Sequence, residues 1–143
     1  MNEPAIPAGF KPHFKESRFT DPWEPLLSRV QDDQVQMGVL VRDAHCNSRG
    51  LVHGGFLAAI ADNALGLSIG VVLKGKGLEV GSLVTTNLSI DYLGMAKVGE
   101  WLATDTEVLK AGRSLCTAQC RVATANTLVA RVNATFLRRA TNS

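Results

Sequence analysis

The stretch Gly54-Gly55-Phe56-Leu57-Ala58-Ala59-Ile60-Ala61-Asp62-Asn63-Ala64-Leu65-Gly66-Leu67-Ser68-Ile69-Gly70-Val71-Val72-Leu73 is apolar almost all round a helical wheel and stops at Lys74-Gly75-Lys76-Gly77. Its length is that of a membrane span. Asp62 and Asn63 sit mid-segment, however, where an Asp costs about 2.5–3.5 kcal/mol in lipid. In a soluble chain, a helix apolar on every side is a helix buried on every side. Residues 54–73 are therefore expected to form the central core helix, with the glycine-rich stretch as its stop signal.

What covers such a helix is written on either side of it. Residues 34–42 alternate, with Val35, Met37, Val39 and Val41 opposite Gln34, Gln36 and Arg42, which reads as a half-buried strand. After the helix come four strand-like runs. Ser82–Tyr92 sets Val84, Thr86, Leu88, Ile90 and Tyr92 against Thr85, Asn87, Ser89 and Asp91. Residues 100–110 are rich in Thr, Val and Trp but alternate poorly, whereas residues 115–123 and 127–138 alternate cleanly. The short links at Gly112 and Asn126 suit antiparallel hairpins. One-sided strands need an apolar partner, and the helix is the one available. The expected architecture is α+β: an antiparallel sheet of about five strands wrapped around a long central helix. Residues 1–25 hold all five prolines and read as an irregular arm, pinned by Phe10, Phe14, Phe19 and Trp23. Residues 26–143 form a single domain.

Composition narrows the function. At 143 residues the chain has the size of one domain, and its 45% apolar content is ordinary for a globular protein. The 15 Lys and Arg against 13 Asp and Glu are scattered, with no basic stripe, so neither nucleic acid nor a membrane is expected as a partner. Residues 1–9 lack the charged start and apolar core of a secretory signal. Cys116 and Cys120 on one strand would stand ~13 Å apart, too far to bridge. A cytoplasmic setting fits. His45, Cys46 and His53 lack zinc-type spacing, so no metal is expected.

The chemistry concentrates at the helix start, Asn47-Ser48-Arg49-Gly50-Leu51-Val52-His53-Gly54-Gly55, and at Asp62. Gly54 and Gly55 leave the first helix amides uncovered. These have no intrahelical partner and can bind an anion or a developing oxyanion. Alternatively, the glycines serve tight packing or a capping turn. Asp62 shares a helix face with Gly55 about 10 Å along the axis. On an apolar face its carboxylate suits a general base, or else a satisfied structural carboxylate. A base and an oxyanion donor must both reach one reacting group within about 3 Å. One chain cannot achieve that, so two helices meeting antiparallel across a twofold axis are expected to build a composite site.

Asn47-x-x-Gly50-x-x-His53-Gly54-Gly55, Asp62-Asn63, Asp91-Tyr92-Leu93 with Ala96 and Gly99-Glu100, and Gly112-Arg113-Ser114 together resemble the hotdog-fold acyl-CoA thioesterases of the 4-hydroxybenzoyl-CoA thioesterase superfamily. Within it, the nearest group is that of the phenylacetate-pathway thioesterase and the thioesterase superfamily members. The resemblance spans about residues 35–138. It implies hydrolysis of an acyl-CoA thioester by a homo-oligomer, a dimer or a dimer of dimers. No cofactor is implied, because CoA belongs to the substrate. By position, Gly54 donates its N–H to the thioester carbonyl, Asn47 orients that carbonyl, and Asp62 of the partner chain is general base or nucleophile. Thr85 matches a position that helps to place water, although strand parity puts it on the polar side. His53 either joins the catalytic group or caps the helix. Arg113 and Ser114 match an element near CoA, and Lys74, Lys76 and Lys110 are further cations without positional support. A proline common near Met95 is missing. The competing readings are a non-catalytic acyl-CoA-binding protein of the same fold and a β-hydroxyacyl dehydratase or hydratase.

Overall fold

The computed structural model describes residues 4–139. The first three residues of the expected arm and the last four of the expected domain lie outside the described residues. The elements run β1 (Lys11–Pro12), β2 (Leu27–Gln31), β3 (Gln34–Leu40), α1 (Gly54–Gly75), β4 (Ser82–Tyr92), β5 (Trp101–Ala111), β6 (Leu115–Ala123) and β7 (Leu128–Arg139). All strands pair antiparallel in one sheet of order β1-β2-β3-β5-β6-β7-β4. The sheet curls around α1, as the pattern implied. It has seven strands rather than about five, and both extra strands come from the N-terminal side.

β2 and β3 form a two-residue hairpin whose turn, Asp32-Asp33, has φ of 53° and 60°. Both central residues are left-handed, the conformation a tight hairpin requires and one that Asp tolerates. Lys11–Pro12 then adds to the free edge of β2. The connection between this region and the helix start is made largely through main chain. Arg42 Nη2 donates to the Pro22 and Glu24 carbonyls, and His45 Nε2 meets the Trp23 carbonyl at 2.9 Å. Trp23 also packs edge-on against Phe56, and Phe10 against Trp101. Phe14 and Phe19 remain exposed.

The side of α1 toward the sheet carries Phe56, Leu57, Ile60, Ala61, Ala64, Leu65, Ile69 and Leu73, all buried. A fully buried Leu or Ile contributes about 1.5–3 kcal/mol. Ser68 on the same side uses its hydroxyl to accept the Val35 N–H at 3.0 Å. The expectation of burial on every side is corrected. The sheet covers only one face, and Ala58, Ala59, Asp62, Asn63, Gly66, Leu67 and Val71 stay half-exposed.

Three β-bulges explain the irregular strand patterns, and the one in β7 turns Val129 inward beside Ala130 while Leu128 is exposed. In β5 the register shifts between Val108 and Lys110, which breaks the alternation there. In β4 it shifts between Thr85 and Asn87, so Thr86 is the extra residue. Beyond the bulge Leu88, Ile90 and Tyr92 face α1. Before it the parity inverts, so Leu83 and Thr85 face α1 while Val84 is 55% exposed.

Candidate active site

The loop before α1 is shaped by Asn47. Its Oδ1 accepts the backbone N–H of Arg49 at 2.9 Å and of Leu51 at 3.3 Å, and its own N–H donates to the Leu51 carbonyl. With the oxygen so occupied, the side-chain amide is oriented and its NH2 remains a donor. The chain then passes Val52, whose N–H bonds Ala96, and His53, whose N–H bonds the His45 carbonyl at 2.8 Å.

His53 is the N-cap of α1. Its Nδ1 accepts the Gly55 N–H at 2.8 Å, so that nitrogen is unprotonated and the capping reading holds geometrically. The Gly55 amide is thereby engaged. The Gly54 N–H, by contrast, has no hydrogen-bond partner among the described residues. Tyr92, at the end of β4, donates its hydroxyl to the Gly54 carbonyl at 3.0 Å. A Cβ at position 54 would meet Tyr92 Cζ at 3.1 Å, and one at position 55 would meet His53 Nδ1 at 3.1 Å. The glycine pair thus has a packing reason as well as a chemical one. In the sequence Tyr92 belongs to an alternating strand and to the Asp91-Tyr92-Leu93 motif, neither of which assigns it a place in the site. The one signal available was an aromatic at the strand end facing a Gly-Gly pair.

Asp62 is half-buried, two helical turns further on. Thr85 Oγ1 donates to its Oδ1 at 2.7 Å. The parity assigned to Thr85 from sequence is therefore corrected: the bulge at Thr86 swings it from the polar side onto the helix side. Around this pair opens a groove of about 990 Å³, floored by Asn63, Gly66 and Gly70 and walled by Val80, Leu83, Phe136 and residues 13–17 of the N-terminal region.

Within one chain these groups fall into two clusters. Gly54, Gly55, His53 and Asn47 lie at the helix start. Asp62, with Thr85 bonded to it from β4, lies eight residues from Gly54, ~12 Å along the axis. Arg113 and Ser114 are exposed in the β5–β6 turn, near the other end of α1. There Lys76 Nζ bonds the Ala111 carbonyl at 3.2 Å, and Arg138 donates to the Arg113 and Glu79 carbonyls. That turn is associated with a helix end ~33 Å from Gly54 along the axis.

The family model of the thioesterase superfamily matches residues 49–131. A candidate esterase of Pseudomonas aeruginosa is 35% identical over 133 residues, covering 92% of this chain and 96% of the relative. Human acyl-coenzyme A thioesterase 13 is 31% identical over 75 residues, 52% of this chain and 50% of that protein. Zebrafish thioesterase superfamily member 2 superposes with a TM-score of 0.76 at 24% identity. That match covers 87% of this chain and 88% of the zebrafish chain, and it shows the shared fold.

Proposed function

Because this chain belongs to the thioesterase superfamily, we propose that it hydrolyses an acyl-CoA thioester to CoA and the free acid, at a site completed by a second copy of itself. The observation that carries this reading is the Thr85–Asp62 hydrogen bond at the mouth of the groove. It fixes one carboxylate oxygen and leaves the other to take a proton from water, the arrangement a general base needs. Water attacks the thioester carbonyl as Asp62 accepts its proton. The charge that develops on the carbonyl oxygen is met by the Gly54 N–H and by the Asn47 amide, at the positive end of the helix. The C–S bond then breaks, and the thiolate leaves as CoA with the proton returned.

The ~12 Å between Asp62 and Gly54 along one helix requires a partner chain. β4 supports such a partner. It is an eleven-residue strand at the end of the sheet, paired on one side only among the described residues. A long free edge of this kind is a template for pairing with a copy of itself. Such pairing would lay the half-exposed faces of two α1 helices near one another. The groove beside Asp62 is of ligand-pocket size and suits the acyl group. The assignment of Arg113 and Ser114 to CoA and the absence of any cofactor rest on the resemblance, and a cytoplasmic location rests on the unbridged cysteines.

The test is thiol release from a panel of acyl-CoA esters. Asp62→Asn lowers turnover by about 10²–10⁴-fold with KM little changed. Near-normal turnover in that variant removes Asp62 as base. Binding of intact ester without released thiol returns the non-catalytic reading.

A further inference from the structure

We infer that Tyr92 and His53 are positioning residues that clamp the peptide between Gly54 and Gly55, and thereby hold the Gly54 N–H as the backbone donor to the reacting carbonyl; this rests on the thioesterase reading. A peptide group is rigid and planar, so holding its oxygen and its N–H fixes its orientation. Here the oxygen is Gly54's, bonded by the Tyr92 hydroxyl at 3.0 Å, and the N–H is Gly55's, bonded to His53 Nδ1 at 2.8 Å. One side chain arrives from the end of β4 and the other from the helix N-cap. The peptide before it is held as well: the His53 carbonyl accepts the Leu57 N–H at 3.1 Å, while the His53 N–H is tied to the His45 carbonyl. What remains open is the Gly54 N–H.

The clamp answers a difficulty that the glycines create. Two glycines in the first turn give the backbone its greatest freedom, and a donor that wanders stabilises a transition state poorly. Yet a side chain at either of these positions would crowd the clamp. A Cβ at 54 would press on the Tyr92 ring, and one at 55 on the His53 ring, each at 3.1 Å. Loose backbone and bracing side chains are one device. The bulge at Thr86 belongs to it, because it restores Tyr92 to the same side of β4 as Thr85.

The experiment uses the full-length protein with phenylacetyl-CoA and octanoyl-CoA, scored for kcat and KM by thiol release, alongside NMR exchange of the Gly54 and Gly55 amides. Tyr92→Phe keeps the ring and loses one hydrogen bond, so kcat falls about fivefold while KM stays within about twofold. His53→Ala lowers kcat by about tenfold, and His53→Asn, which keeps an acceptor at the N-cap, recovers most of that loss. In the parent protein the Gly55 amide is protected and the Gly54 amide exchanges freely, and Tyr92→Phe lowers the Gly55 protection. An active parent whose kcat is unchanged by Tyr92→Phe overturns the clamp, as does His53→Asn no better than His53→Ala. If the parent releases no thiol from either ester but Gly55 protection still falls in Tyr92→Phe, the clamp stands and the thioesterase reading is what fails. Thermal unfolding of each variant separates loss of the clamp from loss of the fold.

Discussion

Replacing His45 by Phe tests how the N-terminal region and the helix start are joined. His45 is 1% exposed and stacks on Phe56 with ring centroids 4.6 Å apart. Its Nδ1 accepts the Arg42 N–H at 3.2 Å, so its Nε2 carries the proton and donates to the Trp23 carbonyl. Phe keeps the stack and the volume but orphans both backbone groups. At about 1–3 kcal/mol for each buried unsatisfied group, the two together give an expected loss of ~2–6 kcal/mol, against a typical total of ~5–15. Burial also pushes the His45 pKa below its ordinary 6.5, with the Trp23 carbonyl opposing and Arg42 assisting. The unfolded chain therefore binds the proton first. Stability is full above 6.5, and it falls as the pH drops below 6.5 until the folded-state ring is itself protonated. His13 is shifted in the same direction by burial, so part of the acid loss survives the substitution. The assay is urea unfolding followed by Trp fluorescence at fixed protein concentration, at about pH 7.5 and about pH 5. A loss under about 1 kcal/mol at the higher pH refutes the reasoning. So does an acid-induced loss as large in His45→Phe as in the parent.

Three further outcomes are expected. Thr85→Val, nearly isosteric, removes the hydrogen bond to Asp62 and lowers kcat about tenfold, with a stability change within about 0.5 kcal/mol by thermal unfolding. Gly38→Ala would place a Cβ 2.3 Å from Trp101 Cζ2, so it destabilises by about 1–3 kcal/mol and shifts the Trp emission. Cys116 and Cys120 are buried, and burial pushes the Cys120 thiol up to about 11, so a thiol reagent at neutral pH titrates Cys46 alone in the native protein and all three cysteines in urea.

The parts of this fold that could be read in advance were those set by local periodicity. An apolar run of helical length, together with strands whose buried and exposed residues alternate, fixed the helix-in-sheet arrangement. Leu27–Gln31 escaped notice because only Ser28 in it is buried, and because its turn is Asp32-Asp33 rather than a glycine-containing pair. The pairing of Lys11–Pro12 is remote in sequence and leaves no periodic trace. Thr85 shows a different limit. Its identity was found but its facing was inverted, because a bulge shifts parity by one residue without altering the composition around it. Tyr92 was invisible as part of the site, since its relation to Gly54 exists only once β4 and the start of α1 are side by side.

Arg42 and His45 grip three consecutive carbonyls, those of Pro22, Trp23 and Glu24. A carbonyl is the same group whatever side chain follows it. Recognition of that kind tolerates drift at positions 22 and 24 while confining residues 42 and 45, so relatives of this chain can rewrite the tethered segment and keep the tether.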